Sequence, residues 1–88
     1  MEATRLLVHG RVHGVQFRVT TKHMAERLGL VGWVRRDGPH RVELVVNGPQ
    51  EAIVRLAAWC RAGPKRSLVT KVTSEPVDVE LPQGFEVR

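Results

Sequence analysis

The sequence predicts an α+β sandwich, an antiparallel sheet with two helices on one face, in the order βαββαβ plus a short C-terminal strand. Three observations carry this. Apolar residues alternate with period two around residues 5–12 and 41–47. Two other stretches, one after Gly14 and one after Pro49, repeat apolar residues at helical spacing. Between two extended runs stands Asp37-Gly38-Pro39-His40, which is turn chemistry for a hairpin.

Taken in order, Arg5 to Val12 places Leu6, Val8, Gly10 and Val12 on one face and predicts a strand. Phe17, Met24, Ala25 and Leu28 then recur at helical spacing. Arg27 falls in the last turn and Gly29 just past it, so a helix is expected over Phe17 to Leu28. Val31 to Arg36 is a second strand holding Trp33, with Trp33 expected in the core or else as a pocket wall. Arg41 to Asn47 is a third, with Val42, Leu44 and Val46 inward. Pro49 suits a first helical position, and Ile53, Leu56, Ala57 and Cys60 make the stripe of a second helix that ends before Gly63-Pro64. Leu68 to Thr73 is a weaker fourth strand, and Pro76 demotes the residues after it to an edge or irregular segment. Phe85 to Arg88 is a short last strand. This order is that of the ferredoxin-like fold. Right-handed crossovers make the first two strands parallel, so the strand 1–helix 1 turn and the strand 2–strand 3 turn share one end of the sheet.

The 88 residues suit a single domain, 1–88, able to fold without staples. Apolar content of 42% and charged content of 26% are those of a soluble globular chain. One cysteine, Cys60, leaves no internal disulfide and fits a reducing cytoplasm. No signal-peptide layout and no apolar run near the ~20 residues of a spanning helix are present, so no membrane partner is expected. A net charge of +5 favours anionic ligands without choosing among them.

Chemistry concentrates between Gly10 and Arg18, Gly-Arg-Val-His-Gly-Val-Gln-Phe-Arg. A turn from strand to helix with Gly14 in its middle can gather backbone N–H groups into one concavity at a helix N-terminus, where an anion is favoured. Arg18 adds a planar fork of donors matched to phosphate. On spacing alone a plain turn with a solvated arginine is the commoner reading of such short glycine motifs, and the segment is no Walker loop. The histidines His9, His13, His23 and His40 have no ligand spacing with carboxylates or with Cys60, so no metal and no cofactor is expected. Cys60 on the apolar stripe reads as a buried thiol. The aromatics Phe17, Trp33, Trp59 and Phe85 lie in no RNA-recognition context, so nucleic acid is not an expected partner.

Val8-His9-Gly10-Arg11-Val12-His13-Gly14-Val15-Gln16-Phe17-Arg18 resembles the phosphate-binding signature of acylphosphatases, usually Gly-Arg-Val-Gln-Gly-Val-x-Phe-Arg. Gly29-Leu30-Val31-Gly32-Trp33-Val34-Arg35 looks like that family's second signature, and Gly48-Pro49 and Gly84-Phe85-Glu86-Val87-Arg88 match its habit as well. The resemblance runs over essentially the whole chain. It implies a metal-independent hydrolase that cleaves acyl phosphates to carboxylate and phosphate, with a small acyl phosphate or inorganic phosphate as partner. It implies that the loop of His13, Gly14, Val15, Gln16, Phe17 and Arg18 binds the phosphoryl group, with Arg18 as the signature arginine. A free-standing monomer is expected, since the cysteine-rich zinc segments of the larger hydrogenase-maturation carbamoyltransferases, which open with a similar domain, are missing.

One departure bears on catalysis. The second signature normally continues Gly-Trp-Val-Arg-Asn, and that carboxamide orients the attacking water. Here Arg36 stands at the Asn position. A carboxamide donates and accepts hydrogen bonds, whereas a guanidinium only donates. Asn47, the only asparagine, ends strand 3 and is expected roughly 20 Å away. Pro39-His40 also replaces the usual Asp-Gly, and His13 the usual Gln. Three readings are open: an active acylphosphatase whose water is held by Gln16, His13 or His40; a weak or inactive phosphate-binding member with two arginines; and an interaction module with a vestigial site.

Overall fold

A computed structural model describes residues 1–14 and 16–88. The described residues build β1 (Glu2–Arg11), α1 (Phe17–Arg27), β2 (Val31–Arg36), β3 (Arg41–Asn47), α2 (Gln50–Ala62), β4 (Leu68–Asp78) and β5 (Phe85–Val87). Their strands make a five-stranded sheet in the order β4-β1-β3-β2-β5. β1 pairs antiparallel with β3 and β4, and β2 pairs antiparallel with β3. β1 and β2 therefore point the same way, as two right-handed crossovers require.

The sheet is mixed where the sequence pattern implies antiparallel pairing, because β5 joins β2 in parallel. The reason is connectivity. β4 ends at the edge where β1 and β2 begin, and the chain must cross four strand spacings, about 19 Å, to the other rim. Residues 79–84 span that at about 3.3 Å each, so β5 starts beside the start of β2 and runs with it.

Other boundaries differ for local reasons. β1 begins at Glu2, earlier than the alternation implies, because β4 offers it a partner down to Asp78. β4 runs on through Pro76, which an edge strand tolerates because one side has no ladder to break. Pro49 is the N-cap of α2, with extended backbone (φ −57°, ψ 137°), and not its first helical residue. α1 closes at Arg27 with Leu28 as C-cap.

The core lies between the helices and one sheet face. Leu6, Val8 and Val12, Val34, and Val42, Leu44 and Val46 meet Phe17 and Ala25 of α1 and Ile53, Leu56 and Cys60 of α2, all buried. Each large side chain contributes about 1.5–3 kcal/mol. Trp33 is not among them. The strand pleat that sends Val34 inward sends Trp33 and Arg35 to the helix-free face, where Trp33 is half-buried. That face also buries Glu43, whose Oε1 and Oε2 each lie 2.6 Å from the Nε of Arg35 and Arg5.

Gly10 fixes the end of β1. The β1–β4 register shifts between His9 and Gly10. The Gly10 N–H donates to the His40 carbonyl at 2.9 Å. Its φ is +134°, and a Cβ there would sit 2.0 Å from the Leu68 carbonyl oxygen. Gly10→Ala is therefore expected to destabilise by about 3 kcal/mol or more, read as a lower urea midpoint at unchanged slope.

Cys60 is fully buried, and burial pushes its thiol up to about 12, with Arg61 pulling weakly the other way. The unfolded thiol ionises near its ordinary value of 9.0 while the folded one keeps its proton. The unfolded state then binds fewer protons, so stability is constant on this account below about pH 9 and falls between there and about pH 12. Urea unfolding at alkaline pH should show that slope, and Cys60→Ala should lack it.

Candidate active site

The loop between β1 and α1 is pinned at both ends. Val12 is buried under the helices, and Phe17 is buried against Trp59, ring centroids 5.6 Å apart and tilted by 50°. Between these anchors Gly14 and Gln16 both adopt left-handed backbone, φ +73° and +58°. For Gly14 that is free, with nothing within 4 Å of a Cβ position. For Gln16 it costs roughly 1–2 kcal/mol. Gln16 is the N-cap of α1, and its carbonyl accepts from both the N–H and the Oγ of Thr20, at 3.0 and 2.8 Å. Its side chain makes no cap hydrogen bond. A glutamine held in this backbone, with its carboxamide making no cap hydrogen bond, is a strained position of the kind that accompanies function.

No acidic residue occupies the first turn of α1, so the positive end of the helix dipole is unopposed. Arg18, half-buried, stands on that turn. His13, Gly14, Gln16, Phe17 and Arg18 line one cavity of about 190 Å³, to which Val87 of β5 also contributes. At about 30 Å³ per water in the liquid, this is the space of roughly six waters. Val15, also expected in the phosphate loop, lies outside the described residues.

The β2–β3 turn is clamped against this loop. Besides the Gly10–His40 backbone bond, His13 Nε2 lies 2.9 Å from the Gly38 carbonyl oxygen. A carbonyl only accepts, so that bond requires the proton on Nε2. His13 Nδ1 is buried and has no hydrogen-bond partner among the described residues. His13 is thus occupied in joining two turns. Inside the turn, the Asp37 N–H donates to the Arg41 carbonyl at 2.9 Å, and Arg41 Nε sits 2.8 Å from Asp37 Oδ2.

The remaining expected residues fall apart from the cavity. His40 is exposed and borders a separate cavity of about 240 Å³ with His9 and Asp37. Asn47 pairs with Val31 at the opposite end of β2 from Arg36, which pairs with Val42. Arg36 does not line the Arg18 cavity. Its Nε donates to the Gly38 carbonyl at 3.4 Å, and its side chain borders a groove on the helix-free face with Trp33, Arg35 and Arg88. The carbonyl of Gly38 thus separates two sites, His13 meeting it from the loop side and Arg36 from the groove side. Reading only the inward face of each strand misses this groove. The outward positions Arg5, Trp33, Arg35 and Glu43 carry the signal.

A strand-to-helix loop with left-handed residues, an unopposed helix N-terminus and a first-turn arginine stand together on a ferredoxin-like scaffold. Comparison with known proteins specifies it further. The acylphosphatase family model matches residues 4–87. Acylphosphatase 2 of Ralstonia nicotianae is 46% identical over 82 residues, covering 92% of this chain and 86% of the relative. The crystal structure of an acylphosphatase from Bacillus subtilis superposes with a TM-score of 0.91 at 30% identity, over 100% of this chain and 99% of that one. An acylphosphatase from Coxiella burnetii gives 0.90 at 38% identity, over 99% and 93%. The chain belongs to the acylphosphatase family.

The His13 clamp is testable apart from any activity. His13→Ala is expected to cost about 1 kcal/mol and to speed amide exchange in residues 37–40 while leaving the core amides of β1 and β3 protected.

Proposed function

We propose that this protein hydrolyses acyl phosphates to a carboxylate and inorganic phosphate. The observation that carries the reading is the cavity shared by Gly14, Gln16 and Arg18 at the N-terminus of α1, in a chain of the acylphosphatase family. In this reading the phosphoryl oxygens are held by the loop amides and by the Arg18 fork. Water attacks phosphorus in line with the acyl oxygen, a new P–O bond forms, and the bond to the acyl oxygen breaks. The pair of electrons leaves with the carboxylate, which is stable without a proton, and the water's proton ends on the phosphate. Charge spreads over the equatorial oxygens during transfer, where fixed donors act most strongly.

The water needs an acceptor to orient it, and Arg36 at the usual Asn position offers none. We assign that role to Gln16. Its carboxamide is exposed, borders the cavity and is engaged in no cap, whereas His13 is committed to Gly38 and His40 stands outside. The reading goes with a monomer acting in the cytoplasm, where the lone thiol of Cys60 stays reduced. A second reading, a family member that binds phosphate without turnover, draws on the same Arg36 substitution and on its side chain lying toward the groove.

Steady-state hydrolysis of benzoyl phosphate decides between them. The wild type should turn over, Arg18→Ala should lose about 10²–10³ in kcat/KM, and Gln16→Ala should lose kcat with little change in KM. A silent wild type that gains turnover on Arg36→Asn would establish the second reading.

A further inference from the structure

The groove on the helix-free face is separate from the cavity at the β1–α1 loop and shares no lining residue with it. Its volume is about 600 Å³, within the roughly 300–1,000 Å³ of small-molecule sites. Its cationic side chains are Arg5, Arg35, Arg36 and Arg88, and the one carboxylate side chain among its lining residues is Glu43. Glu43 is only 4% exposed, and its two oxygens are taken by Arg5 and Arg35. It leaves the rim positive. Arg5 has a second partner in Glu75 and Arg88 has Glu86. Arg36 has only the long 3.4 Å bond to the Gly38 carbonyl among the described residues, so its fork is the groove's available anion receptor.

The rest of the groove is apolar. Trp33 is flanked by the guanidinium groups of Arg35 and Arg88, at 5.3 and 5.2 Å from its ring centre. Val45, Val77 and Val79 complete the lining. Stacked guanidinium groups offer a flat outer face to a planar group. Such a surface suits a ligand with one charged end and one flat apolar end.

We propose that this groove binds a small aromatic anion. Its carboxylate or phosphate head pairs with Arg36, and its ring lies against the Arg-flanked Trp33 and the three valines. The site is independent of hydrolysis at the phosphate loop.

The test is an amide and indole NMR titration of the full chain with benzoate, repeated with phenyl phosphate, each with and without saturating inorganic phosphate. Benzoate should shift the Trp33 indole and the Val77 and Val79 amides, with an affinity unchanged by inorganic phosphate and by Arg18→Ala. Val79→Glu, which adds a like charge at a half-exposed rim position, and Arg36→Gln should each weaken it about tenfold or more. Val54→Glu, the same charge on the exposed face of α2, should not. The amide spectrum of each variant reports that it is folded. Phenyl phosphate held in the groove in the presence of inorganic phosphate would show that the head group is shared. Shifts confined to residues 13–18, competition by inorganic phosphate, indifference to Val79→Glu, or no groove shifts with either compound at millimolar concentration would each overturn the proposal. Hydrolysis of benzoyl phosphate is scored separately, so a protein that binds benzoate in the groove yet hydrolyses nothing refutes the functional reading alone.

Discussion

Three backbone segments meet at Gly10, and the loop between β1 and α1 depends on that meeting. The N–H of Gly10 reaches the turn carbonyl of His40, while its Cα approaches the first residue of β4 closely enough that a Cβ would overlap the Leu68 carbonyl. The register shift at this point re-aims the chain just before the loop. Two residues later Val12 turns into the core, and the loop beyond it is carried on whatever direction Gly10 has set. Packing alone would not locate the loop amides to the fraction of an ångström that anion binding needs. Backbone-to-backbone contact does, because it has no rotamers to average over.

Charge is arranged on two levels. On the helix side an unopposed helix end and Arg18 face a small cavity. On the other face a carboxylate is buried between two arginines of neighbouring strands. Desolvating Glu43 is costly, and two cations offset it only because β1 and β2 flank β3 in the register that places Arg5 and Arg35 on either side. The central strand is thus apolar on its helix face, while its other face buries both Glu43 and Val45.

Much of this was legible in the chain. Period-two alternation located β1 and β3 and helical spacing located both helices, because each buries one face and the burial writes its period into the sequence; β4, whose pattern is weaker, runs longer than that pattern marks. The position of the β1–α1 loop was legible from Gly14, Phe17 and Arg18, whose spacing is set by a turn and the first helical residues. What escaped was set by tertiary context. Trp33 looked like core because it is large and apolar, yet strand parity and the arginines beside it hold it on the outer face. Arg36 occupies a position whose usual residue belongs to the site, but a long side chain can lean away from its own strand position, and sequence spacing does not encode the lean. The parallel placement of β5 depended on how far six residues reach across the sheet. His13 looked like an open loop histidine, and the carbonyl that captures it is 25 positions away.

The rims of the sheet bear on how the molecule behaves in a crowd of its own kind. A sheet with two open edges can recruit strands from neighbouring molecules and grow. Here one rim is β5, only three residues long, and the other is β4. β4 carries Lys71, Glu75, Pro76 and Asp78 along its length. An incoming strand would find too little ladder on the first rim, and on the second a missing donor among charges of both signs. Both rims thus carry devices that blunt edge-to-edge pairing in a sheet left open at two edges.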